Sequence, residues 1–194
     1  RILLKLSGEA MKGNEAGLYD YSILDQICDA IAKLVRDGVQ VAIVIGGGNF
    51  WRGRTSETID RVKADQIGML ATVMNCIYVS DIFRYLGLNT KVYTPFACGG
   101  MTTLFSKDDA MKELKSGTVV FCAGGTGHPY FSTDSATSLR AIELECDIIL
   151  MAKAIDGVYD SDPKTNPNAK KFDTLAVSEI VDNKLGVIDL TSAV

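Results

Sequence analysis

Stretches of strand length that are apolar on both faces, set between segments of helical period, constrain this chain more than any other feature. Val39–Ile45 is a near-continuous apolar run ending in Gly46-Gly47-Gly48, and Arg1–Leu6, Thr118–Ala123 and Asp147–Met151 share its character. Strands without polar alternation are buried on both sides, and with helices between them they form a parallel sheet covered on each face. The intervening segments fit. Tyr21–Arg36 puts Ile23, Ile27, Ala30, Ile31 and Leu34 on one stripe, and a longer helix from about Arg61 to Leu86 carries Ile67, Leu70, Val73, Met74 and Ile77. Strand Lys91–Thr94 and helices near Lys107–Lys115 and over Asp134–Glu145 complete the alternation.

The chain of 194 residues, 47% of them hydrophobic, suffices for one sizeable core, so a single domain is expected. After Ile155 the sequence turns to Asp156-Gly157-Val158-Tyr159-Asp160-Ser161-Asp162-Pro163 and Asn166-Pro167-Asn168, a hairpin or loop excursion over the rim. The chain begins at Arg1 and stops inside a helix start, Asp189–Val194, from which a longer polypeptide is expected in the cell.

The formal charge of −4, with no basic run, argues against nucleic acid as the main partner. Cys28, Cys76, Cys98, Cys122 and Cys146 never form a C-x-x-C pair and read as small core residues in a reducing compartment, with the cytoplasm as the expected location. His128 is the single histidine, so neither a zinc site nor a hydrolase triad is expected, and no metal-ligand set is assigned. No apolar stretch reads as a membrane span.

In open parallel sheets ligands bind outside the carboxyl ends of the strands. Three glycine-rich turns follow strands here, Ser7-Gly8, Gly46–Gly48 and Gly124–Gly127, and they should share one rim. The last belongs to the most informative run, Val119 through Asp134: a buried strand, a glycine turn, then a helix start carrying hydroxyls and a carboxylate. Backbone N–H groups freed by glycine and the positive end of a helix dipole favour phosphate, while Asp134 suits Mg²⁺ or the orienting of a cation.

Lys5 is the sole charge in Ile2-Leu3-Leu4-Lys5-Leu6. An unpaired buried ammonium is costly, so Lys5 either pairs near the ligand-bearing strand end or snorkels from an edge strand; the first reading is preferred because Ser7-Gly8 follows. The second glycine turn leads to Arg52, a candidate phosphate clamp. Gly48 to Thr55 falls one residue short of a P-loop and lacks its lysine, so that match is set aside. By spacing alone Asp65 is ordinary helix-start chemistry. Asp156, Asp160 and Asp162 lack the closing glutamate of a calcium loop and read as turn residues. Lys153 is a second lysine placed to reach the rim.

Together Lys5–Ala10, Ile45–Asn49, Arg52-Gly53, Arg61, Asp65, Gly68–Asn75, Thr126–Asp134 and Asp156–Tyr159 resemble the bacterial uridylate (UMP) kinases of the amino-acid kinase family, in order and along essentially the whole chain. The resemblance implies a three-layer α/β/α sandwich with a mostly parallel open sheet, continuing with further sheet beyond Val194, and transfer of the γ-phosphoryl of Mg·ATP to UMP. It implies that Lys5 stabilises charge on the transferring group and that Asp134 organises the catalytic lysines or metal. Ser7, Gly8 and Gly48 would contact ATP phosphates, with Arg52 near the phosphates of donor or acceptor. Gly47, Asp65, Thr126, Gly127, His128, Pro129, Tyr130, Phe131, Ser132 and Thr133 would line the UMP site; Lys153, Tyr159 and Asp162 would face the ATP base and ribose. It also implies a homohexamer, with GTP as activator and UTP as inhibitor. Two departures stand out: His128 replaces an asparagine of many members, and Met151 occupies a position where several carry lysine, with Lys153 two residues on. Kinases of the same fold acting on acetylglutamate, aspartate, carbamate or isopentenyl phosphate share the glycine turns but not Gly68–Asn75. A non-catalytic nucleotide-binding protein of this fold would lose Lys5 and Asp134.

Overall fold

The computed structural model describes residues 1–12, 17–51, 58–153, 156–182, 185, 188 and 190–193. The elements are β1 (Ile2–Leu6), α1 (Gly8–Lys12), α2 (Tyr21–Arg36), β2 (Val41–Ile45), α3 (Arg61–Tyr85), β3 (Thr90–Thr94), β4 (Thr103–Leu104) and α4 (Lys107–Lys115). They continue with β5 (Val119–Cys122), α5 (Thr133–Glu143), β6 (Ile148–Ala152), β7 (Val158–Tyr159), β8 (Lys171–Phe172), α6 (Val177–Asp182) and α7 (Leu190–Ala193). Strands β1 to β6 form one sheet in the order β4-β3-β5-β2-β1-β6, every pair parallel.

Strand geometry sends successive side chains to opposite faces, and both faces here are buried. Val41, Ile43 and Ile45 of β2, with Val119 and Phe121 of β5, meet Leu24, Cys28 and Ile31 of α2 and Val73, Cys76, Val79 and Phe83 of α3. Ala42 and Val44 of β2, with Val120 and Cys122 of β5, meet Ala110 and Leu114 of α4, Ala141 of α5 and Leu144, which caps α5. The result is the expected α/β/α sandwich. Polar side chains start the helices by taking otherwise orphaned N–H groups: Asp20 accepts from Ser22 at 2.9 Å, and Ser132 accepts from Asp134 at 3.2 Å.

Helix α5 ends two residues before the expected Glu145, because Glu145 takes a left-handed φ of 53° and Cys146 N–H turns back to the Ala141 carbonyl at 2.8 Å. The turn-rich segment after Ile155 does contain a hairpin, β7 antiparallel to β8. Helix α3, contrary to expectation, is long and apolar enough to cross a membrane by length and composition. Its Ala64, Ala71, Val73, Cys76, Val79 and Phe83 are buried in the protein, which makes it a core helix. Among the cysteines, Cys28, Cys76 and Cys122 are buried and all five thiols are free. Burial pushes the Cys28 thiol up to about 11 and that of Cys122 up to about 12, so neither is a ready nucleophile.

Candidate active site

Parallel pairing of β5, β2 and β1 brings their carboxyl ends to one edge, so the three glycine turns lie along a common rim as expected. Register fixes the first functional group. Lys5 is paired across the sheet with Val44 on one side and Met151 on the other, so β1 is an interior strand and an edge lysine is excluded. Alternation places Lys5 on the same face as Leu3, which packs with α5. Helix α5 crosses β1, β2 and β6 and carries Asp134 in its first turn.

The outcome is a carboxylate shared between two ammonium groups. Lys5 Nζ lies 3.0 Å from Asp134 Oδ1, and Lys153 Nζ lies 3.2 Å from Asp134 Oδ2. Lys5 is only 8% exposed, so its charge depends on that partner. Lys153 is the first residue past the end of β6, two residues beyond Met151, which pairs with Lys5. From there its ammonium reaches Asp134. Two ammonium groups at one carboxylate bring positive charge to the rim, where a transferring phosphoryl group needs it.

The glycine turns stand against this centre. Ser7 follows β1, with its N–H donating to the Ala152 carbonyl at 3.2 Å, and Gly46 N–H donates to the Leu6 carbonyl at 2.9 Å. Gly8 is buried where the first two turns touch: a Cβ there would lie 2.5 Å from Asn49 Oδ1 and 2.6 Å from the Gly46 carbonyl. No larger residue fits without moving backbone. Gly47 and Gly48 continue the second turn, and Phe50 and Trp51 N–H groups both donate to the Gly47 carbonyl at 3.0 Å. Arg52, with the second half of the rejected P-loop match, lies outside the described residues.

The third turn builds the other wall. Gly124 takes a φ of 78°, and a Cβ would meet Pro95 and Phe96 at 2.9 Å, so both backbone and space demand glycine. Gly127 N–H closes on the Gly124 carbonyl at 3.2 Å, and Thr126 Oγ1 accepts from His128 N–H at 3.2 Å. The wall then runs through Pro129, with Tyr130 and Phe131 exposed, to Ser132, the cap of α5, and Thr133, its first residue.

Asp65 proves to be more than helix-start chemistry. Its Oδ2 accepts from Arg61 Nε at 2.9 Å and from the Tyr130 N–H at 2.8 Å, while the Arg61 guanidinium sits 5.4 Å from the Tyr130 ring centroid. Tyr130 has a φ of 71°, an unfavourable backbone for a non-glycine residue that the Asp65 contact holds in place. Asp65 thus ties α3 to the wall it was expected to share.

The hairpin residues turn inward on their own segment. Tyr159 OH donates to Asp156 Oδ1 at 2.8 Å, and Lys171 Nζ donates to Asp156 Oδ2 at 3.0 Å. Asp162 Oδ1 accepts from Lys164 N–H at 2.9 Å, and Asp160 Oδ1 accepts from Lys170 N–H at 2.9 Å. Asp160 and Asp162 thus take backbone N–H groups of their own segment, as turn residues do, while Asp156 pairs with side chains of the hairpin. Among the described residues no group of three His, Cys, Asp or Glu side chains is arranged to hold a metal ion. With both Asp134 oxygens engaged by lysines, the residues present fit a magnesium ion brought in on nucleotide phosphates, which typically keeps few protein ligands.

Sequence reading passed over the polar residues inside α3. Thr72 and Asn75 are buried, and each bonds a glycine turn: Gly124 N–H donates to Thr72 Oγ1, and Asn75 Nδ2 donates to the Gly46 carbonyl, both at 2.8 Å. The signal was available, since buried polar groups on an apolar helix must find partners.

A parallel sheet with glycine turns along its carboxyl rim, converging on two lysines and an aspartate, defines a phosphoryl-transfer class of α/β protein. The sequence profile of the amino acid kinase family matches residues 1–193, and the chain belongs to that family. Within it the similarity is to uridylate kinases. That of Ectopseudomonas mendocina (strain ymp) is 46% identical over 194 residues, spanning 99% of this chain and 78% of the relative. That of Pseudomonas syringae pv. syringae (strain B728a) is likewise 46% identical over 194 residues, spanning 99% and 79%. The crystal structure of UMP kinase from Ureaplasma parvum superimposes with a TM-score of 0.92 at 36% identity, covering 99% of this chain and 83% of that one. The UMP kinase structure from Bacillus anthracis gives 0.93 at 35% identity, covering 99% and 80%.

Proposed function

We propose that this protein is a nucleoside monophosphate kinase that transfers the γ-phosphoryl group of Mg·ATP to UMP, yielding UDP and ADP. The observation that carries the reading is the Lys5–Asp134–Lys153 cluster set where the first two glycine turns meet. UMP as the acceptor rests on similarity to uridylate kinases over nearly the whole chain.

In this reading Ser7, Gly8 and Gly48 approach the ATP phosphates through backbone, and Arg52 is assigned to phosphate by sequence alone. Lys5 supplies positive charge at the transferring group, with Lys153 beside it on the donor nucleotide. Asp134 holds the two ammonium groups apart and aimed, so that they do not reorganise as charge moves. Magnesium, when bound with ATP, adds further charge neutralisation between the phosphates. Gly47, Asp65 and Thr126–Thr133 form the acceptor wall, and Tyr159 and Asp162 flank the donor base and ribose. A UMP phosphate oxygen attacks the γ-phosphorus as the bond to the ADP oxygen breaks. Positioning and charge stabilisation account for the rate, with no strong general base required. The family resemblance further supports a cytoplasmic homohexamer activated by GTP and inhibited by UTP. Exposed Ile67, Leu70 and Met74 on α3 suit packing against another subunit.

A coupled ADP-release assay with UMP, CMP, AMP and carboxylate acceptors tests the assignment. UMP-dependent turnover well above the others is expected; turnover of another acceptor with none for UMP would sink it.

A further inference from the structure

Helix α3 reaches both glycine turns that flank the centre, through two polar residues one helical turn apart. Thr72 and Asn75 are 3% and 0% exposed. Thr72 Oγ1 donates its proton to the Met69 carbonyl at 2.7 Å, which leaves its lone pairs for the Gly124 N–H at 2.8 Å. Gly124 is itself wedged against Pro95 and Phe96, so this bond fixes the point from which the acceptor wall departs. Asn75 works on the other turn. Its Nδ2 donates to the Gly46 carbonyl and to Asn49 Oδ1, both at 2.8 Å. Its Oδ1 accepts from Tyr19 OH at 2.6 Å and from Asn49 Nδ2 at 3.1 Å. Between the two anchors, Gly47 lies against Ala71 and the Gly68 carbonyl.

A buried hydroxyl and a buried amide on an apolar helix destabilise the fold unless they are satisfied, and both find their partners in the turns. Neither belongs to the charged centre. We propose that Thr72 and Asn75 are positioning residues that hold the acceptor turn at Gly124–Gly127 and the shared turn at Gly46–Gly48 in fixed register through α3. The proposal rests on the UMP kinase reading above. It predicts separable effects: Thr72 governs the acceptor wall alone, whereas Asn75 governs a turn that touches both nucleotides.

Steady-state kinetics on the full chain test this. Thr72→Val keeps the shape but removes the acceptor of the Gly124 N–H; it should raise KM for UMP on the order of tenfold and leave KM for ATP within about twofold. Thr72→Ser restores the hydroxyl and should return KM for UMP to within about twofold of the unmodified enzyme. Asn75→Leu should raise both constants. Thr72→Ala repeats the deletion should valine not be accommodated. Unchanged KM for UMP in the valine or alanine form, or a parallel loss in both substrates that serine does not rescue, would overturn the proposal. Failure of both deletion variants to fold would also overturn it, since the hydroxyl would then be a structural group. Absence of UMP turnover in the unmodified enzyme would instead overturn the parent reading, and the same variants are then read with whichever acceptor is turned over.

Discussion

Among the described residues two clusters of lysine and carboxylate stand on this sheet, and their surroundings set them apart. At the carboxyl end of β1, two ammonium groups, Lys5 and Lys153, share the single carboxylate of Asp134. Near the start of β3 the ratio is reversed: Lys91 Nζ lies 2.8 Å from Asp109 and 3.1 Å from Glu113. The second cluster is also closed off by hydroxyls, Tyr93 OH donating to Asp109 at 2.6 Å and Thr118 to Glu113 at 3.0 Å. Hydrogen bonding to Asp109 raises the Lys91 pKa, and Lys91 in turn lowers that of Asp109. One cluster places two ammonium groups beside backbone turns that suit phosphate. The other sets one ammonium and two hydroxyls between two carboxylates, and it pins α4 to β3. Similar residues thus make a reaction centre or a clamp according to where on the sheet they stand and what lies beside them.

The largest effect should come from breaking the cluster at the rim. Lys5→Met, close to isosteric, should lower kcat on the order of 10²-fold or more while the chain stays folded, because charge stabilisation at the transferring group is lost. Asp134→Asn should fall in the same range, since two ammonium groups then face each other with no anion between them. Near-normal turnover in either variant, measured at saturating ATP and UMP, would break the contrast by removing its catalytic side. Lys153→Met should cost less, roughly tenfold, with KM for ATP rising, as expected for the more exposed of the two cations. An effect of Lys153→Met as large as that of Lys5→Met would reassign the leading role.

The contrast also marks what could be read from residues in order. Lys5 stood out because it is the one charge in a strand apolar on both faces, and the sheet that buries it followed from Val39–Ile45 and its counterparts. The glycine rim was legible for the same reason, since parallel strands bring equivalent ends together. What escaped was contact between distant segments. The sharing of Asp134 needs β1, α5 and β6 side by side, and a reading in order left Lys153 as merely able to reach the rim. Asp65 looked like helix-start chemistry because its partner, the Tyr130 N–H, is brought to it only by the fold. Thr72 and Asn75 sat inside a recognised motif, yet the glycine N–H and carbonyl that explain them lie in other loops. Strand β4, only Thr103–Leu104, is too short to carry a period at all.

On the structural side of the comparison, Lys91→Met should leave kcat and both KM values unchanged and lower stability on the order of 1–2 kcal/mol, read by chemical denaturation. It leaves two carboxylates close together without their cation, so the loss should be greater at neutral than at acidic pH. A drop in kcat with unchanged stability would mean that the cluster is not the closed clamp described here.

The smallest effect is a pH dependence. Asp109 is held below its ordinary value of 3.8, first by the hydrogen bond from Lys91 and then by that from Tyr93. A carboxyl with a depressed folded-state pKa contributes stability that is present above the ordinary value and lost as pH falls through the lower, folded one. The unmodified protein should therefore lose stability from Asp109 only below about pH 4, and Asp109→Asn should remove that part of the acid limb while lowering stability at neutral pH. Denaturation midpoints compared from pH ~6 down to pH ~3 measure it, and the two curves should converge toward acid. Curves that stay parallel would show that Asp109 gains nothing from Lys91 on folding. The second cluster would then be an exposed pairing of charges, and the catalytic cluster alone would depend on the burial of its partners.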